Sequence, residues 1–258
     1  MIAVVDYQKG NLKSVERGLI AAGGEAFITA DASEIAKADA IVLPGVGAFA
    51  DAAATMCELG QMEAIRDRVR AGVPFLGICL GEHLMFEHGV EGAPEGNPAC
   101  GLGLLPGTVV AMPRCDAQGK TFKVPHVGWN TIEMPAYNGG DAVPPCGEGG
   151  GNAVLKQSSL RCGTARGTSP DSTPQPGSDL AFACPLFDGI APGEYFYFTH
   201  SYIAPTGSHT IAETTHSVRF TSAVQYGDRA FGVQFHPEKS SDAGARVLAN
   251  FVAIAARG

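Results

Sequence analysis

This sequence predicts an α/β fold with a mainly parallel central sheet flanked by helices and extended by shorter antiparallel strands, and three observations predict it. Strand-like apolar runs alternate with helix-like segments over residues 1–90. Several of those runs are apolar at successive positions, as in strands buried on both faces. From about residue 104 the helical spacing stops and short strand-like segments follow one another, until an amphipathic segment closes the chain.

The elements follow in order. Ile2–Asp6 reads as a first strand; it lacks a basic leader and Asp6 interrupts its apolar run, so it does not read as a signal peptide. Leu12, Val15, Leu19 and Ile20 recur at helical spacing. Ala26–Thr29 and Ala40–Leu43 are strand candidates, and Met62, Ile65 and Val69 mark another helix face. Val73-Pro74-Phe75-Leu76 leads into a buried strand ending at Ile78, and Leu80–His88 reads as a short helix. Strands separated by helical segments imply βαβ units. Leu104–Met112, Phe122–Val124, Trp129–Glu133, Glu194–Thr199, His209–His216, Ser222–Tyr226 and Ala230–Phe235 read as shorter strands, several of them antiparallel. Val247, Leu248, Phe251 and Ile254 give Asp242–Ala256 a helical apolar face. Residues 138–179, dense in Gly, Pro, Ser and Thr, read as a flexible surface insertion within a single domain spanning 1–258.

Bulk properties exclude several function classes. The 258 residues carry a formal net charge of −8, against the basic footprint that nucleic-acid binding needs. No apolar stretch approaches the roughly 18 residues of a membrane span. Seven cysteines, an odd number without C-x-x-C pairs, fit a reduced cytoplasmic protein with free thiols and no zinc site. Cys57, Cys100, Cys115, Cys146, Cys162 and Cys184 read as unpaired thiols, and His88, His209 and His216 as surface groups.

Cys79 stands apart. Gly77-Ile78-Cys79-Leu80-Gly81 sits at a strand-to-helix turn, which exposes a sulfur, while a helix N-terminus favours its thiolate. Far downstream, His236-Pro237-Glu238 follows the strand that ends at Phe235. In parallel sheets functional groups gather at the carboxyl ends of strands, so the two segments can meet. His236 is then a base and Glu238 its orienting acid, in a Cys-His-Glu set. Attack on a carbonyl also needs N–H donors for the oxyanion. The Leu80 N–H is one; another lies in Pro44-Gly45-Val46-Gly47. Gly45-x-Gly47-x-x-Ala50 also mimics a dinucleotide fingerprint, but it follows the third strand rather than the first and Pro44 precedes it.

Together these segments resemble the class I (triad-type) glutamine amidotransferases, most closely the glutaminase subunits of imidazole glycerol phosphate synthase. The resemblance rests on Asp6-Tyr7 with Gly10-Asn11-Leu12-Lys13-Ser14-Val15, Pro44-Gly45-Val46-Gly47, the Cys79 turn, Gly101-Leu102-Gly103, Pro125-His126-Val127-Gly128-Trp129-Asn130, Phe198-Thr199-His200-Ser201-Tyr202, and Gly232 through Ser240. It implies that Cys79 attacks the side-chain amide of L-glutamine, that His236 passes a proton to the leaving ammonia, that Glu238 orients His236, and that water cleaves the thioester. No cofactor or metal is implied. The Gly45–Gly47 turn would serve the oxyanion after a peptide reorients. The partner implied is a (βα)8-barrel cyclase in a heterodimer, with Asn11, Trp129, Tyr197 and Lys239 facing it. For Trp129 a core position is the competing reading, and for His126 and His200 a structural role.

The sequence departs from that family's pattern at two points. Gly81-Glu82-His83 replaces the usual Gly-Met-Gln, so His83 stands where a substrate-holding glutamine is usual, and Glu82 adds a negative charge near the thiol. Gln8 stands where a glycine usually follows the tyrosine. A weakly active docking subunit, another hydrolase of this fold such as a γ-glutamyl hydrolase or peptidase, and a paralogous amidotransferase serving a different acceptor synthase are the alternatives.

Overall fold

The computed structural model describes residues 1–135 and 182–257. The segment 138–179, with Cys146 and Cys162, lies outside the described residues. In chain order the elements are β1 (Ile2–Val5), α1 (Leu12–Ala21), β2 (Ala26–Thr29), α2 (Ala32–Ile35), β3 (Ala40–Gly45), α3 (Phe49–Glu58), α4 (Gln61–Arg70), β4 (Phe75–Cys79) and α5 (Leu80–His83). There follow β5 (Phe86–Gly89), β6 (Ala99–Cys100), β7 (Leu105–Ala111), β8 (His126–Thr131), β9 (Tyr195–His200), β10 (Tyr202–Ile203), β11 (Thr210–Thr215), β12 (Arg219–Tyr226), β13 (Ala230–Val233) and α6 (Ser241–Ala255).

A seven-stranded sheet in the order β11-β12-β13-β4-β3-β1-β2 forms the centre. β2, β1, β3, β4 and β13 run parallel, while β12 and β11 extend that sheet antiparallel. Successive strand residues point to opposite faces. Ile2, Val4, Ala40, Val42, Leu76 and Ile78 therefore pack on one side with Val15, Leu19, Val247, Leu248 and Phe251 of α1 and α6. Ala3, Val5, Ile41, Leu43 and Phe75 pack on the other with α3 and α4. Both faces being covered explains why these strands read as continuous apolar runs. A second sheet has the order β10-β7-β5-β6, and β8 pairs antiparallel with β9.

Three expectations need correction. The helix from Leu80 ends after one turn at His83. Leu102 and Gly103 donate to the carbonyls of Leu84 and Phe86, and Leu104 and Leu105 both donate to that of Met85, so those oxygens serve tertiary bonds and the chain turns into β5. Phe122–Val124 is not a strand; an isolated bridge joins Cys115 and Thr121. Ile20 does not join the buried face of α1 but is 52% exposed, while Val15 and Leu19 are buried. The short β5, β6 and β10 and the helices α2 and α3 add to the elements expected from the sequence.

Candidate active site

Cys79 ends β4 with φ 54° and ψ −106°, a backbone conformation rarely adopted outside glycine. The surrounding structure holds it there. A side chain at Gly81 would meet the Leu43 carbonyl oxygen, and one at Gly77 would meet the Gly81 backbone. Both glycines let α5 lie directly against β3 and β4. That close approach leaves the sulfur at the carboxyl edge of the sheet, and Cys79 is 7% exposed. One helical turn carries little macrodipole, so the sharp turn does more for the thiol than the helix.

The parallel pairing of β13 with β4, Val233 beside Ile78, carries the following loop to the same edge. There His236 Nδ1 lies 2.9 Å from Glu238 Oε1, with both side chains buried. His236 Nε2 is buried without a hydrogen bond of ordinary geometry, and its ring interacts with the Cys79 thiol. A loose contact of this kind is common in enzymes without substrate. Burial pushes His236 down, but the Cys79 thiol and the Glu238 carboxyl outweigh it and raise the ring to about 9. The loop is braced by β9: His236 N–H donates to the Tyr197 carbonyl at 2.9 Å, and Ser240 Oγ–H donates to the His236 carbonyl at 2.7 Å.

On the other flank, Gly45 pairs with Cys79 in register. The buried Tyr7 hydroxyl lies beneath Gly45 and close to the Val46 backbone N–H, without a hydrogen bond of ordinary geometry. Burial raises Tyr7 above its ordinary value, with the Val46 N–H opposing, so the phenol stays neutral. Gly47, at φ +103°, follows at once and gives the turn freedom that other residues lack.

The two departures are visible here. Glu82 is fully buried, and neither carboxyl oxygen has a hydrogen-bond partner. Burial pushes it well above the usual carboxylate range. That favours the neutral acid and opposes the negative charge expected of Glu82. His83 is not presented to an open cleft: it is 3% exposed, and its Nε2 lies 2.7 Å from Gln234 Oε1. Gln8 takes φ 70°, the left-handed region that favours the missing glycine. Gln234 is the contact the sequence did not reveal, with its Nε2 3.7 Å from Cys79 Sγ.

The residues expected at a partner face divide clearly. Trp129 is 51% exposed, which removes the core reading. It pairs with Tyr197 across β8 and β9, edge to face at 6.1 Å, and Lys239 Nζ stands 5.9 Å from the Tyr197 ring centroid. Asn11 is exposed at the start of α1. His126 and His200 are buried and bonded to each other at 3.1 Å. Burial and the neighbouring His216 lower His126 to about 4. Cys57, Cys100 and Cys115 are exposed thiols. Among the described residues no helix is long and apolar enough to cross a membrane.

A cysteine at a glycine-flanked strand end, faced by a histidine–carboxyl pair on a parallel sheet, is the arrangement that triad-type acyl transfer needs. The family model described as glutamine amidotransferase class-I matches residues 3–255. The chain belongs to the class-I glutamine amidotransferases. It is 38% identical over 252 residues to the imidazole glycerol phosphate synthase subunit HisH of Moorella thermoacetica, covering 97% of this chain and 93% of the relative. It is also 38% identical to the HisH subunit of Rhodopirellula baltica, covering 97% and 96%. Among solved structures, one titled as a glutamine amidotransferase aligns with a TM-score of 0.60 at 16% identity, over 99% of this chain and 100% of that one. PurLQS from Thermotoga maritima aligns at 0.58 and 16% identity, over 98% and 97%. These two likenesses establish the fold alone.

Proposed function

We propose that this chain is the glutaminase subunit of an imidazole glycerol phosphate synthase, acting as a single cytoplasmic amidotransferase domain. One observation carries the catalytic reading: the buried His236–Glu238 pair faces a sulfur held on a strained, glycine-flanked turn. Cys79 Sγ attacks the side-chain carbonyl carbon of L-glutamine. A ring raised to about 9 keeps its proton at neutral pH, and His236 delivers that proton to the departing ammonia. Glu238 holds Nδ1 and so fixes the ring. Water then attacks the γ-glutamyl thioester, with His236 as base, and glutamate leaves.

The Leu80 N–H and the Gly45–Gly47 turn stabilise the oxyanion. The Val46 N–H, close to the Tyr7 hydroxyl, must reorient toward the substrate before the turn is complete. That motion is the step at which a partner controls the rate. The partner is a (βα)8-barrel cyclase, bound as a heterodimer through Asn11, Trp129, Tyr197 and Lys239. A half-exposed tryptophan against a tyrosine makes a suitable anchor.

The test is glutamate release from glutamine by wild type and Cys79→Ala, each alone and with the barrel cyclase and its nucleotide ligand. Hydrolysis that needs Cys79 and rises on adding the loaded cyclase supports the reading. Cys79-dependent hydrolysis indifferent to that cyclase points to a different acceptor synthase. No hydrolysis despite complex formation points to a docking subunit. Cys79→Ala should still bind the cyclase.

A further inference from the structure

We propose that His83 acts on the reaction through Gln234, as a positioning residue that holds the Gln234 amide with its N–H groups toward the Cys79 sulfur. The reaction in question is the glutamine hydrolysis proposed above; the chain of contacts does not depend on it. Gln234 follows β13 and is completely buried. Its side chain spans two groups: Oε1 is 2.7 Å from His83 Nε2, and Nε2 is 3.7 Å from Cys79 Sγ. Its backbone is anchored separately, the N–H donating to the Ser222 carbonyl at 3.0 Å. Only the side-chain amide is therefore free to turn, and its two orientations have different consequences for the sulfur.

With Nε2 toward Cys79, an N–H meets a sulfur that gains negative charge as it reacts, and hydrogen bonds to a charged acceptor are strengthened. With Oε1 toward Cys79, a carbonyl oxygen would face that charge. His83 selects the first orientation when its Nε2 carries the ring proton and donates to Oε1. Burial keeps the ring neutral down to about 4, so it holds one proton, and the acceptor at 2.7 Å fixes that proton on Nε2. The other polar group near Nε2 is Glu82 Oε2 at 4.0 Å, beyond hydrogen-bond reach. His83 Nε2 is thus committed to Gln234 and is not available to donate to a substrate.

The experiment compares wild type, His83→Leu, His83→Gln, Gln234→Leu and the double variant His83→Leu/Gln234→Leu. Steady-state kinetics with the loaded cyclase are read beside the rate of Cys79 alkylation by iodoacetamide at pH 7. We expect His83→Leu to lower kcat about tenfold with KM for glutamine changed less than about twofold, and to slow alkylation by a similar factor. His83→Gln, which can again donate to Oε1, should recover most of both. The double variant should lose no more than Gln234→Leu alone, because the two residues act in series. A raised KM with unchanged kcat and alkylation would mean that His83 touches glutamine. Additive losses or unchanged rates would equally overturn the proposal. If His83→Leu fails to fold, His83→Gln beside Gln234→Leu still decides: alkylation slowed in the second and not in the first is the expected result, and any other pattern overturns it. Alkylation needs no glutaminase activity, so a protein that fails to hydrolyse glutamine leaves this arm readable.

Discussion

The two flanks of the Cys79 sulfur are built to different degrees of readiness. On the β13 side, His236, Glu238 and Gln234 are buried and bonded, and Tyr197 braces the loop from β9. On the β3 side, the Tyr7 hydroxyl beside the Val46 N–H has no hydrogen bond of ordinary geometry, and a glycine at positive φ follows. The difference teaches that one flank of the sulfur is fixed by hydrogen bonds among several elements while the other is a short glycine-containing turn. The physical reason is local. The β13 side is held by packing on several elements, so moving it would break many contacts. The β3 side is a turn with Gly47 at φ +103°, where one peptide can rotate at little cost.

The largest effect should come from breaking the prepared flank. Glu238→Gln removes the carboxyl that orients His236 and helps raise it. Glutamate release by the complex should fall by about a thousandfold in kcat, with little change in KM. A loss below tenfold would mean that packing alone orients the ring.

Glu82 lies behind the same flank, close to where a side chain on Gly232 would sit. Its carboxyl is buried without partners, so Glu82→Met should stabilise the protein at pH 7 by about 1–3 kcal/mol, read as a denaturation midpoint. The sign with pH follows from its raised titration. Below the ordinary value of 4.5 the carboxyl is neutral in both folded and unfolded chains. Above it the unfolded chain gains by ionising and the folded one does not. Wild type should therefore lose stability relative to Glu82→Met as pH rises from about 4.5 toward the raised folded value, and the gap should narrow in acid. A gap independent of pH would show that Glu82 is charged in the folded protein.

The smallest effect sharpens the unprepared flank. Tyr7→Phe removes the hydroxyl that lies beside the Val46 N–H. Hydrolysis without the cyclase should rise about fivefold, and stimulation by the cyclase should shrink by the same factor. An unchanged basal rate would release Tyr7 from any role in holding the turn.

Much of the site was legible because its signals are short and chemical. The Gly77–Gly81 turn, His236 with Glu238, and the Pro44–Gly47 turn each announce themselves within a few residues, and alternating strands and helices put them at one sheet edge. Gln8 also declared itself: a residue in a glycine's place does adopt φ 70°. Other features were not legible. The helix after Cys79 stops early because residues 102–105 capture carbonyls that a longer helix would have used. His83 reads as a substrate ligand until its contact with Gln234, 151 positions away, is visible. Trp129 reads equally as core or surface, since an aromatic flanked by Gly128 and Asn130 carries no local sign of burial.

The sequence by itself determined the fold class and singled out Cys79 with His236 and Glu238, because apolar periodicity and turn chemistry act over a few residues. Tertiary structure alone decided that Glu82 is buried without a partner, that His83 Nε2 meets Gln234, that Trp129 is exposed and that the Tyr7 hydroxyl lies beneath Gly45. Those outcomes depend on burial and on partners far apart in the chain. Burial sets the charge of an acid, and the nearest acceptor sets which way a donor points.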